Sequence, residues 1–132
     1  MAYINKSKTD VWLTPLNLYT KYMDQGYWDP CPYPRSSFDG LKIPWKQKTF
    51  CNPPYSQLSK WAKKCYEESL LGKQIVLLIP CRSGTRYFHK YILPFAKIEF
   101  IQGRLKFRRP CGTPGKAAPF PSILCTYNAV EK

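Results

Sequence analysis

Apolar side chains recur every three or four positions between residues 56 and 71, and this spacing predicts an amphipathic helix. The apolar face comprises Leu58, Trp61, Ala62, Cys65, Tyr66, Ser69 and Leu70, while lysines and glutamates occupy the other face. Gly72 follows at once and predicts the end of this helix. Another helix is predicted to start with Thr14 as its cap and Pro15 in the first helical position, and to end at Gly26.

A continuous apolar run over residues 74–79 has the pattern of a strand that is covered on both faces. Shorter runs predict further strands at 27–29, 48–51, 97–100 and 122–127. Residues 104–107 are expected to pair beside the strand at 97–100, and residues 85–93 are predicted to be helical. The proline-rich stretches 30–47 and 109–121 are expected to be loops.

Strands therefore alternate with helices, which predicts an α/β fold with a largely parallel sheet of about five strands. The chain has 132 residues, so we expect a single domain over residues 1–132 with a loose N-terminus at 1–10. Ligand sites in such sheets lie at the carboxyl ends of the strands. Three predicted strands end at distinctive segments, namely Asp29-Pro30-Cys31, Asn52-Pro53-Pro54-Tyr55 and Pro80-Cys81-Arg82.

Composition adds a strong positive charge, because 21 lysines and arginines outnumber 8 acidic residues and give a formal net charge of +13. This excess favours a polyanionic partner, most often a nucleic acid, and argues against a basic small-molecule substrate. Charge that only maintains solubility is the alternative. The expected nucleic-acid contacts are Arg82, Arg86, Arg104, Lys106 and Arg108. The last three alternate along the chain, so on a strand they would share one face toward phosphates.

The six cysteines contain no C-x-x-C pair, and His89 is the single histidine. Zinc-site spacing is therefore absent, and we expect no metal site and free thiols in a reducing compartment. No apolar run approaches the ~20 residues of a membrane span, and the N-terminus lacks the apolar core of a signal peptide. We expect a cytoplasmic location.

The segment Asn52-Pro53-Pro54-Tyr55 carries the clearest chemical signal. Proline lacks an N–H group, and the residue before a proline is held extended. The Asn52 side-chain oxygen and the Pro53 carbonyl can therefore act as a rigid acceptor pair for both hydrogens of an exocyclic amine. Tyr55 offers a face on which a base can stack. This predicts methyl transfer to a planar amine without a strong general base, and a turn in which Asn52 caps the next helix is the alternative.

Two aspartates are candidates for ligand binding. Asp29 lies at the carboxyl end of a predicted strand, where a carboxylate suits a cationic amine or sulfonium. An Asp-Pro turn is the alternative interpretation of Asp29. Asp39 precedes Gly40 in a pattern that fits a plain turn equally well.

Short motifs along most of the chain resemble, in their order, those of the phage-type DNA N6-adenine methyltransferases, a Dam-like group of S-adenosylmethionine-dependent enzymes. The matching motifs are Trp12-Leu13-Thr14-Pro15, Asp29-Pro30-Cys31, Asp39-Gly40-Leu41, Trp45, Asn52-Pro53-Pro54-Tyr55, Ser59-Lys60-Trp61, Leu77-Leu78-Ile79-Pro80, Thr85-Arg86-Tyr87-Phe88-His89, Gly103-Arg104-Leu105-Lys106-Phe107 and Phe120-Pro121-Ser122. The resemblance implies a minimal Rossmann-like methyltransferase fold with a trimmed, mostly parallel sheet. It also implies methyl transfer to adenine N6 in DNA, on a base flipped out of the duplex.

The resemblance further implies a role for each matching residue. Residues 52–55 would form the catalytic loop. The methionine end of S-adenosylmethionine would be lined by Thr14, Pro15, Asp29 and Cys31, and Asp39 would lie at the ribose or adenine edge of this cofactor. The glycine-rich turn usual in this fold is replaced by residues 29–34, which contain no glycine.

Other interpretations stay open at the level of sequence. The same chemistry could act on RNA or on a protein glutamine, or the chain could be an inactive nucleic-acid-binding module on a methyltransferase scaffold. No segment is large enough for a separate target-recognition domain, so specificity is expected from loops, a homodimer or a partner subunit. A phage origin, implied by the resemblance, would place the protein in the host cytoplasm.

Overall fold

The computed structural model describes residues 13–32, 37–108 and 114–129, without the side chains of residues 114 and 116. Two helices are present in these ranges, α1 (Leu16–Asp24) and α2 (Leu58–Ser69). The strands are β1 (Lys48–Cys51), β2 (Gln74–Pro80), β3 (Ala96–Phe100), β4 (Lys106–Arg108), β5 (Pro114–Ala117) and β6 (Ser122–Tyr127). A 3-10 turn, Tyr55–Gln57, precedes α2, and a π-helical turn, Phe88–Ile92, precedes β3.

Four strands form the main sheet in the order β1-β2-β6-β3. β1 pairs parallel with β2, whereas β6 lies antiparallel to both β2 and β3. The sheet is therefore mixed, two of its three ladders are antiparallel, and the predicted largely parallel pairing is not confirmed. A parallel neighbour of β3 would need a crossover connection, usually a helix, but the described part of the β3–β6 connection carries only strands β4 and β5.

β2 is the centre of the fold, and its residues 75–80 are all buried. Alternate side chains enter different clusters, because successive residues of a strand point to opposite faces. Leu77 packs with α2 in one cluster, and Leu78 packs with Phe107 and the inner side of α1 in the other. The prediction of a strand covered on both faces is confirmed.

The second sheet differs from the sequence prediction. Residues 104–107 were expected to pair beside residues 97–100, but β4 pairs antiparallel with β5 in a separate two-stranded sheet. β5 lies in a stretch that was expected to be a loop. Its Pro114-Gly115 start has no apolar alternation, so only the backbone pairing reveals the strand. Residues 27–29 form no full strand but a single parallel bridge between Trp28 and Thr49.

The helices also differ in their limits. α1 begins at Leu16 with Pro15 at the N-cap, and no side-chain hydrogen bond caps it, so Thr14 is not the predicted cap. α2 starts only after the 3-10 turn, and the predicted helix at 85–93 contains a π-helical turn at its centre. Gly72 has φ of +84° and follows the end of α2, as predicted.

The five cysteines in the described ranges are free thiols, and Cys111 and residues 1–10 lie outside these ranges. None of the described helices is long and apolar enough to cross a membrane.

Candidate active site

A cleft of about 970 Å³ opens beside the carboxyl end of β1 and the Trp28 bridge. Segments that are distant in sequence form its walls, which include Thr14, Asp29, Cys31, Asp39, Asn52, Pro53, Pro54 and Arg108. Two of the three segments predicted at strand ends, Asp29-Pro30-Cys31 and Asn52-Pro53-Pro54, therefore meet at one place, whereas Pro80-Cys81-Arg82 does not line this cleft. The reason is that Trp28 pairs with β1, so that Asp29 and Asn52 both follow neighbouring extended segments.

Asp29 is held at the base of this cleft by two donors. Its Oδ1 accepts a hydrogen bond from the Cys31 backbone N–H at 2.9 Å, and its Oδ2 accepts one from the Tyr19 hydroxyl at 3.3 Å. Burial raises the pKa of Asp29 to about 6, and the hydrogen bonds from Cys31 and Tyr19 offset part of this effect. At neutral pH, Asp29 is thus a poorly solvated anion that would be stabilised by a cationic group.

Asn52 is fixed through both its side chain and its backbone. Its Nδ2 donates to the hydroxyl of the buried Thr14 at 3.0 Å, and its carbonyl accepts a hydrogen bond from the Cys31 thiol at 3.1 Å. The Thr14 hydroxyl therefore sets the rotation of the Asn52 amide and directs the amide oxygen away from Thr14. Cys31 therefore contacts both the Asp29 carboxylate and the Asn52 backbone carbonyl, and so links these two residues of the cleft.

The two prolines of the loop line the cleft, but Tyr55 is not among the cleft-lining residues. The Tyr55 ring makes edge contacts with Phe120 and Phe107, at centroid distances of 5.4 and 6.4 Å. Burial raises the pKa of Tyr55, and the charge of Arg82 opposes this effect. The loop therefore presents Asn52 to the cleft and Tyr55 to an aromatic and basic surface beside it, and base stacking by Tyr55 stays a prediction.

Asp39 and Gly40 shape the wall opposite this loop. The Asp39 Oδ1 accepts the Leu41 N–H at 2.9 Å, the geometry of a turn, while Asp39 also lines the cleft. A Cβ on Gly40 would lie 2.1 Å from the Pro30 carbonyl oxygen and 2.9 Å from the Trp61 side chain. Only glycine fits there without displacing the backbone that carries Asp29.

A comparison with protein families now identifies the chain. Residues 2–124 match the family described as DNA N-6-adenine-methyltransferase (Dam). The chain belongs to this family. It is accordingly an adenine-specific DNA methyltransferase, and the resemblance predicted from the ordered motifs is confirmed. Neither the curated proteins nor the solved structures contain a significant match to it.

For a DNA methyltransferase, the positions of the basic residues matter, and Arg108 differs from the other four in its burial and its contacts. Arg82, Arg86, Arg104 and Lys106 are exposed. Arg108 is half-buried, lines the cleft and donates from Nε to the Thr14 carbonyl at 2.8 Å. The ladder between Lys106 and Arg108 is irregular, but Phe107 is buried between two more exposed residues, so Lys106 and Arg108 keep the alternation that the sequence predicted. Their contact with phosphates stays a prediction.

Arg104, Lys106 and Arg108 border a second groove of about 490 Å³, which also includes Pro15 and the start of α1. Arg108 therefore lines both this groove and the main cleft. Pro15 thus lines this groove and not the main cleft. Sequence reasoning also overlooked Tyr19 and Gly40 as residues of the site. In the sequence pattern, Tyr19 looks like any apolar position of α1, and Gly40 looks like any glycine of a turn.

Proposed function

We propose that this DNA methyltransferase transfers a methyl group from S-adenosylmethionine to N6 of an adenine turned out of the duplex. The observation that carries this proposal is that Asn52 and Asp29 line one cleft and are joined through Cys31. An amine-binding acceptor and a cation-binding carboxylate are thereby placed side by side, which is the polar arrangement that this transfer needs.

The residues of the cleft fit the proposed methyl donor. The volume of about 970 Å³ lies within the range of ~300–1,000 Å³ for small-molecule sites. Asp29 supplies a poorly solvated anion for a cationic group, and Phe38, Leu41 and Trp61 add apolar wall. Asp39 is suited to accept hydrogen bonds from ribose hydroxyls. When bound, S-adenosylmethionine supplies an electrophilic methyl group on a sulfonium.

Asn52 and Pro53 would act on the amine itself. The lone pair of an aromatic amine is delocalised into the ring, so the nitrogen is a weak nucleophile. The Asn52 amide oxygen and the Pro53 carbonyl can accept its two hydrogens, which favours a tetrahedral nitrogen with a localised lone pair. Thr14 contributes by holding the amide in one orientation before the base arrives. As the N–C bond forms, the C–S bond breaks and S-adenosylhomocysteine leaves. The methylated nitrogen, then cationic, releases one proton to solvent, so no strong general base is needed.

The exposed side of the loop would receive the DNA. Arg82 lies close enough to Tyr55 for its charge to affect the phenol, and Arg86 follows on the same exposed segment. These guanidinium groups are suited to phosphates next to an extruded base. Tyr55 and Phe120 form the aromatic surface at this point.

The test is methyl transfer to duplex DNA by Asn52→Ala at saturating donor. We expect a loss of roughly 10²–10³ in turnover, because one of two preorganised acceptors is removed. Donor affinity, measured by calorimetry, should be retained. Gln102→Ala, which removes an exposed amide outside both grooves, is the matched control and should keep parental turnover. Parental turnover by Asn52→Ala would overturn the proposed role of the loop.

A further inference from the structure

Opposite charges act on one hydroxyl group in the cleft. The Tyr19 hydroxyl donates to Asp29 Oδ2 at 3.3 Å. Burial raises the pKa of Tyr19, the negative charge of Asp29 adds to the increase, and the positive charge of Arg108 opposes it. Asp29 and Arg108 therefore both lie near this phenol, and both line the cleft.

These two charges are not paired with each other. Among the described residues, the ion pairs closer than 4.0 Å are those of Glu68 with Lys64 and Lys73. Burial raises the pKa of Asp29 to about 6, and the groups that oppose this increase are its hydrogen-bond donors Cys31 and Tyr19. The cleft thus holds a separate anionic and a separate cationic group at the same end.

The position of Arg108 is set by the backbone around Thr14. Its Nε donates to the Thr14 carbonyl at 2.8 Å, and its backbone N–H and C=O pair with Leu13 at 2.9 and 3.1 Å. This anchoring uses Nε, so the terminal Nη nitrogens are the remaining donors of the guanidinium. A guanidinium fixed in this way is preorganised to bind a carboxylate through parallel hydrogen bonds.

We propose that Arg108 is the carboxylate-binding residue of the cleft, so that Asp29 and Arg108 together recognise the α-amino-acid end of the methyl donor. The ammonium group would bind at Asp29 and the carboxylate at Arg108. This inference rests on the proposed function and gives Arg108 a role in ligand selection in place of a phosphate contact. A zwitterion supplies one opposite charge to each group, which neither a neutral nor a singly charged ligand does.

Other cations at the cleft fit this role less well. Lys42 and Lys60 line the cleft but are exposed. Their ammonium groups are well hydrated and flexible, and such exposed charges contribute little to binding. Of these three residues, Arg108 is the half-buried one, and the hydrogen bond from its Nε to the Thr14 carbonyl fixes its head group.

Calorimetry with two ligands tests the inference on the intact protein. S-Adenosylhomocysteine carries the amino-acid end, and 5′-methylthioadenosine lacks it. Arg108→Met should bind S-adenosylhomocysteine on the order of 10- to 100-fold more weakly, as expected for a lost charged hydrogen bond, and should bind 5′-methylthioadenosine as the parent does. Lys63→Met, which removes an exposed charge outside both grooves, is the matched control and should bind both ligands with parental affinity.

Binding of 5′-methylthioadenosine distinguishes the loss of one contact at Arg108 from damage to the whole cleft. Equal weakening of both ligands, or parental affinity for S-adenosylhomocysteine, would overturn the assignment of Arg108 and leave the proposed function standing. A parent protein that binds neither ligand would overturn both. If Arg108→Met does not fold, Arg108→Lys decides: it keeps the charge without the planar fork, so an intermediate loss confined to S-adenosylhomocysteine is expected.

Discussion

At the scale of single residues, the buried carboxylate of Asp29 lowers the stability of the fold at neutral pH but suits a cationic ligand. The hydrogen bonds from Cys31 and Tyr19 do not compensate its burial, so its pKa rises to about 6. The folded state therefore holds this proton more tightly than the unfolded state, in which the ordinary value of 3.8 applies. The associated stability is fully present below that ordinary pKa and is lost as the pH rises through the folded-state pKa. At neutral pH the protein thus retains a destabilising anion at the position where the proposed ligand is cationic.

Asp29→Asn should remove this destabilisation and weaken the binding of the cationic ligand. Asparagine keeps an acceptor for the Cys31 N–H but cannot ionise, so we expect the variant to be more stable than the parent at about pH 8, by about 1–3 kcal/mol. The difference should vanish near pH 2.5, where the parent carboxyl is almost fully protonated in both states. S-Adenosylmethionine affinity should fall in calorimetry. Denaturant unfolding of both proteins at the two pH values is the measurement, and a variant less stable than the parent at pH 8 would contradict the prediction.

At the scale of elements, the turn around Gly40 supports the cleft. It packs against the Pro30 carbonyl, and the Gly40 carbonyl accepts a hydrogen bond from the Trp45 indole N–H at 2.7 Å. The Trp45 ring stacks near Trp61 of α2, at a centroid distance of 6.2 Å. The turn, α2 and the segment carrying Asp29 therefore hold one another in place, and a change in the turn should be felt in the cleft.

Gly40→Ala tests this coupling. The new methyl group would overlap the Pro30 carbonyl oxygen at 2.1 Å, so the backbone must move. We expect a loss of about 1–3 kcal/mol in the free energy of unfolding, together with weaker donor binding. Gly84→Ala is the matched control, since no atom lies within 4 Å of its added Cβ, and it should stay within about 0.5 kcal/mol of the parent. Equal unfolding curves for the two variants would show that the turn adapts freely.

At the scale of the whole molecule, the formal net charge of +13 is the dominant electrostatic feature. It attracts a polyanion, but its residues divide between two tasks. Arg108 is half-buried, lines both the cleft and the second groove and is bonded to the Thr14 carbonyl, whereas Arg104 and Lys106 border only the second groove and are exposed. DNA attraction from this region should therefore depend on two residues, although the alternating sequence predicted three.

Replacing Arg104 and Lys106 together with alanine should weaken DNA binding and reduce its salt dependence. Each lost phosphate contact removes roughly 0.9 from the slope of log affinity against log salt, so the slope should fall by about 2. Affinity for S-adenosylhomocysteine should not change. Lys63→Ala combined with Lys97→Ala removes the same charge from exposed positions elsewhere and should leave the slope nearly unchanged. A parental slope in the first double variant would place the DNA path away from this groove.

Local sequence patterns were sufficient for most elements and for the position of the Asn52–Tyr55 loop. The apolar run of β2 and the periodicity of α2 predict burial directly, because the faces that pack in the core carry apolar side chains. The Asn52-Pro53-Pro54 string, by its own stereochemistry, marks the end of β1. The ordered motifs were sufficient to predict the family, which the match over residues 2–124 confirmed.

Tertiary structure alone decided the direction of β6, the pairing of β4 with β5, and the composition of the cleft. The Thr14 hydroxyl meets an amide 38 residues away, and the Thr14 carbonyl meets a guanidinium 94 residues away. Such contacts produce no periodic pattern in the sequence. A polar residue at a bend cannot be distinguished from other such residues until the fold brings distant segments together. The same holds for Tyr55, whose ring packs against Phe120 beside the cleft. Hydrophobic patterning determines which faces are buried, whereas hydrogen bonding between remote segments determines which polar groups share a site.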